Sequence, residues 1–225
     1  MGFWSTVAAI VWKDLRAELR SRETAGTSLV FALLAILTFS FALDPTRIDP
    51  SSVAPGVLWV TVFFAGMLAL GRSMGVEQAS GALQGLLASP AEPEAVFAGK
   101  LLANWVFSVM VEAVSVPVLL ALFRVGAPRE WGWFLAVLML GTTGFVSVGT
   151  LFATIAAGSR ARELMLPLLL LPVAVPVAIA AVEATGALMS NLSAADWQPW
   201  VRMLAVYDVV MLAAPQLLFR FLLEG

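Results

Sequence analysis

The chain has 225 residues, 60% of them hydrophobic and only 12% charged, with a formal net charge of −2 and a mean hydropathy of +0.93. A soluble domain carries roughly 25% charged residues, so this composition cannot cover a soluble surface and reads as an integral membrane protein with little mass outside the bilayer. Neither Cys nor His occurs, which excludes thiolate chemistry, disulfides, most zinc and copper sites, the usual heme ligands and any His-based triad, and no basic patch is dense enough for nucleic acid.

Residues 1–23 form a separate element. Trp4, Val7, Ala8, Val11, Trp12, Leu15 and Leu19 recur at helical spacing, while Lys13, Arg16 and Arg20 make a basic stripe on another side. That combination predicts an amphipathic helix lying in the membrane interface. The apolar run that follows lacks a small-residue cleavage pattern and reads as a retained first span.

A span needs about 20 mostly apolar residues. Six segments qualify, at 26–43, 55–74, 96–123, 131–157, 164–185 and 200–222. All are expected to be helices, because lipid offers backbone groups no partner. The expected fold class is therefore all-α, a single membrane domain over 1–225. Lys13, Arg16, Arg20, Arg22, Arg72, Lys100, Arg160, Arg162 and Arg220 fall on one side, against Arg47, Arg124, Arg129 and Arg202 on the other. This bias places both termini in the cytoplasm.

Between the second and third spans lies an island, "GVEQASGALQGLLASPAEPEAVFAGK", residues 75–100. Val76, Ala79, Leu83, Leu86 and Leu87 share one helical face, and Glu77, Gln78, Ser80 and Gln84 lie elsewhere. Pro90 and Pro93 are expected to stop that helix, and a new one restarts over Ala95–Lys100. So short a helix is marginal alone and must pack on its own bundle or on another protein. Gly81 and Gly85 leave room for a close approach. A bare connector between helices takes about 2–8 residues, so the segment 75–95 asks for a role.

The pattern E…SGALQGLLASP…AGK resembles the segment between the second and third spans of type-two ABC exporter membrane subunits. With "APGVLW", "LALGR", "LMLGTTGF" and "LPVAVPVAIAA" in order along the chain, the sequence is similar to the cytochrome c maturation protein B family over nearly its whole length. The resemblance implies that 75–95 holds a coupling helix docking on an ATPase subunit, with Glu77, Gly81, Leu83, Gln84, Leu86, Leu87 and Pro90 at or beside the docking surface. It also implies two ATPase subunits carrying ATP, a second copy of this chain, the maturation C and D membrane proteins and a heme chaperone as partners. Heme would be handled by that complex in a bacterial inner membrane. Gly71 departs from the pattern, which leads one to expect an acidic residue before Arg72.

The fourth span is rich in small and hydroxyl residues: Gly141, Thr142, Thr143, Gly144, Ser147, Gly149, Thr150 and Thr154. These suit close helix packing or a polar lining. The fifth carries Pro167, Pro172 and Pro176, which can bend a membrane helix. Glu112 in the third span and Asp208 in the sixth are intramembrane carboxylates, and such groups are functional candidates. Glu183 and Arg202, near the outer ends of their spans, are expected to snorkel or pair.

Gly99-Lys100 is followed by Leu101, so the G-x-x-x-x-G-K-[ST] phosphate cradle is absent and the chain is not an ATPase. Lys100 reads as an interfacial snorkelling base. No cofactor or metal is expected on the chain itself. One alternative is a proton-coupled secondary transporter using Glu112 or Asp208, although the two halves show no inverted repeat. An intramembrane protease would need a Ser with a base or two facing Asp residues, and Asp208 is the sole intramembrane Asp.

Overall fold

The computed structural model describes residues 2–21, 23–43, 49–79, 92–157 and 162–224. Over these the chain is helical, as a backbone without water requires, and no strand occurs among the described residues. The helices are α1 (Phe3–Ser21), α2 (Glu23–Ala42), α3 (Pro50–Ala79), α4 (Pro93–Leu122), α5 (Trp131–Ala157), α6 (Arg162–Met189) and α7 (Ala194–Glu224). Five of them, α2 to α6, are long and apolar enough to cross a membrane. Helix α7 is 31 residues long, carries Asp196, Arg202 and Asp208, and packs on α4, α5 and α6.

The expected fourth span, 131–157, coincides with α5. The second runs further at both ends. Its start is extended because Asp49 caps α3: the Ser51 amide donates to Asp49 Oδ1 (3.0 Å) and the Ser51 hydroxyl to Oδ2 (2.5 Å). Pro50 takes the first helical position, where its missing N–H costs nothing. These bonds hold the exposed Asp49 carboxyl below its ordinary pKa. At its other end α3 continues unbroken through Gly75 to Ala79. Val76–Ala79 therefore belong to α3 and do not open a separate short helix. Pro93 starts α4, behind an extended Glu92 (φ −63°, ψ 130°), and the residues 80–91, whose helix Pro90 and Pro93 are expected to end, lie outside the described ones. The ring that blocks a helix interior fits its first turn.

Helix α5 is the hub of the bundle, packing on α3, α4, α6 and α7, and its small residues are what allow it. Gly141 lies directly under the Trp59 ring and Gly149 under Leu70. In the opposite sense, Phe145 of α5 lies over Gly66 of α3, where a Cβ would come within 2.7 Å of its ring. Phe63 and Phe145 stack with centroids 4.5 Å apart. Trp59 Nε1 then donates to Thr185 Oγ1 of α6 (2.9 Å) inside the core.

Helix α7 is fixed to its neighbours by two hydroxyls. Tyr207 donates to the Val173 carbonyl of α6 (2.8 Å), and Ser147 of α5 donates to the Met211 carbonyl. The second bond has a covalent cause: Pro215, four residues beyond Met211, has no amide hydrogen for that carbonyl.

The α4–α5 and α6–α7 turns lie at one end of the bundle. Asn191 (φ 53°) closes the α6–α7 turn, and its Oδ1 accepts the Arg129 amide (2.8 Å). Trp133 packs on Trp197 there, the rings tilted by 42° with centroids 4.8 Å apart.

Candidate functional site

The stretch singled out by its pattern connects α3 to α4. Glu77 lies in the last turns of α3. Gly81, Leu83, Gln84, Leu86, Leu87 and Pro90 lie outside the described residues. What the fold supplies is the anchorage of the two flanking helices: α3 runs out from the Trp59–Thr185 core, and α4 begins at Pro93 with Ala95, Val96 and Phe97 already buried.

The start of α4 is covered by α1. Asp14 and Lys100 form an ion pair (Nζ to Oδ2, 2.7 Å), with side chains only 10% and 4% exposed. Lys100 is therefore not a snorkelling base. The local sequence shows a lysine at the edge of an apolar run, but the acid that neutralises it comes from 86 residues away. Beside the pair, Ile10 sits against Gly99, where a Cβ would come within 2.8 Å of the Ile10 Cβ. Ile10, Val96, Phe97 and Leu151 form a small buried cluster around this contact.

Helix α1 consequently has three faces. Val7, Ile10 and Asp14 meet the bundle. Lys13, Arg16 and Arg20 are exposed, and Lys13 also reaches Asp14 (3.1 Å). Trp4 (78% exposed) and Trp12 (64%) lie on the third, open apolar face with Ala8. Of the residues expected on one apolar side whose side chains are described, Val7 alone turns fully inward.

From Lys100 a polar stripe continues down one side of α4. Lys100, Asn104, Ser108, Glu112 and Ser115 recur at spacings of four and three and are all buried. Helix α5 meets this stripe with hydroxyls. Asn104 Nδ2 donates to Thr150 Oγ1 (3.1 Å), Trp105 Nε1 to Thr143 Oγ1 (3.0 Å), and Thr142 Oγ1 to Glu112 Oε1. Thr143 and Thr154 also donate to carbonyls of their own helix (2.7 and 2.8 Å), a common use of hydroxyls in membrane helices. The hydroxyls of α5 thus form a hydrogen-bonded seam with α4. Asn104, Trp105 and Asp14 were not singled out from the sequence. The period of polar residues along α4 was legible, whereas their partners were not.

Glu112 and Asp208 are both buried but are not brought together. Glu112 meets α5 at Thr142 from α4, and its Oε2 has no hydrogen-bond partner among the described residues. Asp208 meets α5 at Gly144 from α7, and neither of its oxygens has one. Glu183 and Arg202 are both exposed. Among the described residues no group of three or more His, Cys, Asp or Glu could hold a metal ion.

A family model described as CcmB protein matches residues 5–219. Heme exporter protein B of Paracoccus denitrificans is 33% identical over 176 residues, covering 78% of this chain and 80% of its own length. Heme exporter protein B of Rhodobacter capsulatus is 31% identical, with coverage of 78% and 80%. Heme exporter protein B of Pseudomonas aeruginosa is 26% identical, with coverage of 88% and 89%.

Proposed function

The chain belongs to the CcmB family, and from that premise we propose that it is the membrane subunit through which a separate ATPase drives heme delivery for c-type cytochrome biogenesis. The chain has no phosphate cradle, so the energy enters from a partner carrying ATP. We place that entry at residues 75–95. The observation that carries this reading is the architecture around the segment: α3 and α4 both reach it as long continuous helices rooted in one core. Such helices convey a displacement of their ends into the bundle, since packed interiors transmit strain.

In this reading α7 is a sixth span and both termini face the cytoplasm of a bacterium whose inner membrane holds the complex. The open Trp4 and Trp12 face of α1 rests on the lipid interface, with Lys13, Arg16 and Arg20 toward the headgroups. Two copies of the chain meet two ATPase subunits, and the maturation C and D proteins and the heme chaperone complete the assembly. ATP shifts the membrane subunit only if the ATPase holds the coupling segment differently with and without nucleotide. Leu83, Leu86 and Leu87 are the proposed apolar contact, with Gly81 permitting close approach and Glu77, Gln84 and Pro90 framing it.

The test is to co-purify the chain with a candidate ATPase subunit and measure nucleotide turnover. Leu83→Asp and Gly81→Trp should leave the chain in the membrane and abolish co-purification or coupled turnover. Unchanged complex formation and turnover in both variants would refute docking at this segment.

A further inference from the structure

We infer that Asp14 and Lys100 are a positioning pair that makes α1 and the first turns of α4 one moving unit, so that displacement of the segment preceding α4 is carried into α1. The inference rests on the proposed role of that segment and deepens it.

Helix α1 is joined covalently to α2, yet its buried contacts are with α4. The Ala25 amide donates to Glu18 Oε1 (2.6 Å), joining α1 to the first turn of α2. On α4, by contrast, α1 has a buried ion pair, the Ile10–Gly99 contact and an apolar cluster around both. Lys100 follows Pro93 by seven residues of helix, about 10 Å along the axis, so the pair lies close behind the point where a push would arrive. A buried ion pair resists separation, because parting it breaks a charge-assisted bond between side chains only 4% and 10% exposed, where water compensates little. Sliding is also opposed, since the Ile10 side chain lies against Gly99 where a Cβ would come within 2.8 Å of it. Below the pair, the Asn104–Thr150, Trp105–Thr143 and Glu112–Thr142 bonds tie α4 to α5. A displacement at Pro93 therefore divides between the bundle, through the seam, and the lipid-facing α1, through Asp14.

The chain contains no cysteine, so spin labels can be introduced in pairs without removing native thiols. Labels at Ala17→Cys on α1 and Leu102→Cys on α4, both exposed positions, report the proposed unit. Labels at Ala17→Cys and Val30→Cys report α1 against α2. In the complex with its ATPase, in lipid, the 17–102 distance distribution should be narrow and the same with and without a non-hydrolysable ATP analogue. The 17–30 distribution should shift between those states. Asp14→Asn should broaden the 17–102 distribution and lower cytochrome c formation in cells by about tenfold, with the ATPase still co-purifying. The exchanged pair, Asp14→Lys with Lys100→Asp, should restore both.

A 17–102 distance that changes with nucleotide in the unaltered chain would overturn the inference. So would an Asp14→Asn variant with a narrow distribution and normal cytochrome formation. Failure of the ATPase to bind the unaltered chain would count instead against the proposed function. In that event the nucleotide-free distribution, its broadening by Asp14→Asn and its recovery in the exchanged pair still decide whether the pair fixes α1 to α4.

Discussion

Removing the Ser147 hydroxyl should deprive α7 of a hydrogen bond that its own backbone cannot replace. The Met211 carbonyl has no in-helix donor because residue 215 is proline. In lipid an unsatisfied carbonyl finds no water. Ser147→Ala should therefore destabilise the protein by about 1 kcal/mol, the scale of interhelical bonds in membranes. In a Pro215→Ala background the restored amide can reach the carbonyl, and the same substitution should cost almost nothing. Unfolding of the four proteins in detergent forms a double-mutant cycle, and an equal cost of Ser147→Ala in both backgrounds would contradict the assignment. Neither residue announces this role in the sequence. Ser147 was legible as one of the small and hydroxyl residues of a packing helix, and that is how Gly141 and Gly149 act. The compensation joins residues 64 apart, which local pattern cannot see. Lys100 escapes local pattern for the same reason, because its charge is paired with Asp14, 86 residues earlier in the chain.

At the scale of elements, helices were legible and their ends and partners less so. The α5 boundaries followed from an apolar run between polar turns. The α3 boundaries did not, because hydropathy ends where helix does not: Asp49 and Pro50 start it earlier and no residue before Ala79 stops it. The α4–α5 pair shows what a polar stripe does once its partner is known. If Glu112 serves chiefly as the acceptor of Thr142, Glu112→Gln keeps a carbonyl oxygen of the same reach and should leave folding and cytochrome c formation close to normal. Glu112→Leu removes the acceptor and should lower the melting temperature. The proton-coupled alternative demands the opposite of Gln, since an amide cannot carry the proton through a transport cycle. Loss of cytochrome formation in a stably folded Glu112→Gln protein, measured with Glu112→Asp beside it, would favour that alternative over an ATPase-driven subunit.

At the scale of the whole molecule the question is what the bundle itself carries. Heme iron in proteins is held by His, Cys, Met or Tyr, and the chain has no His or Cys, nine Met and one Tyr. The one tyrosine already donates its hydroxyl to the Val173 carbonyl, and using it as a ligand would require breaking that contact between α6 and α7. Histidine and cysteine, the usual heme ligands, are missing, which leaves methionine as the one other ligand type the bundle offers. The chain purified alone should therefore show no stoichiometric Soret absorbance after incubation with heme and removal of the excess. The assembled complex should show heme that follows the other subunits when they are stripped away. A saturable band approaching one heme per isolated chain, abolished by Tyr207→Phe or by a single Met→Leu change, would mean that this bundle binds the cargo itself. If the band is absent while the ATPase still turns over in the complex, heme delivery by this subunit is mechanical. The helices then convert nucleotide-driven movement into rearrangement of the subunits around them, and the hydrogen bonds between α4 and α5 are one path by which it crosses the bundle.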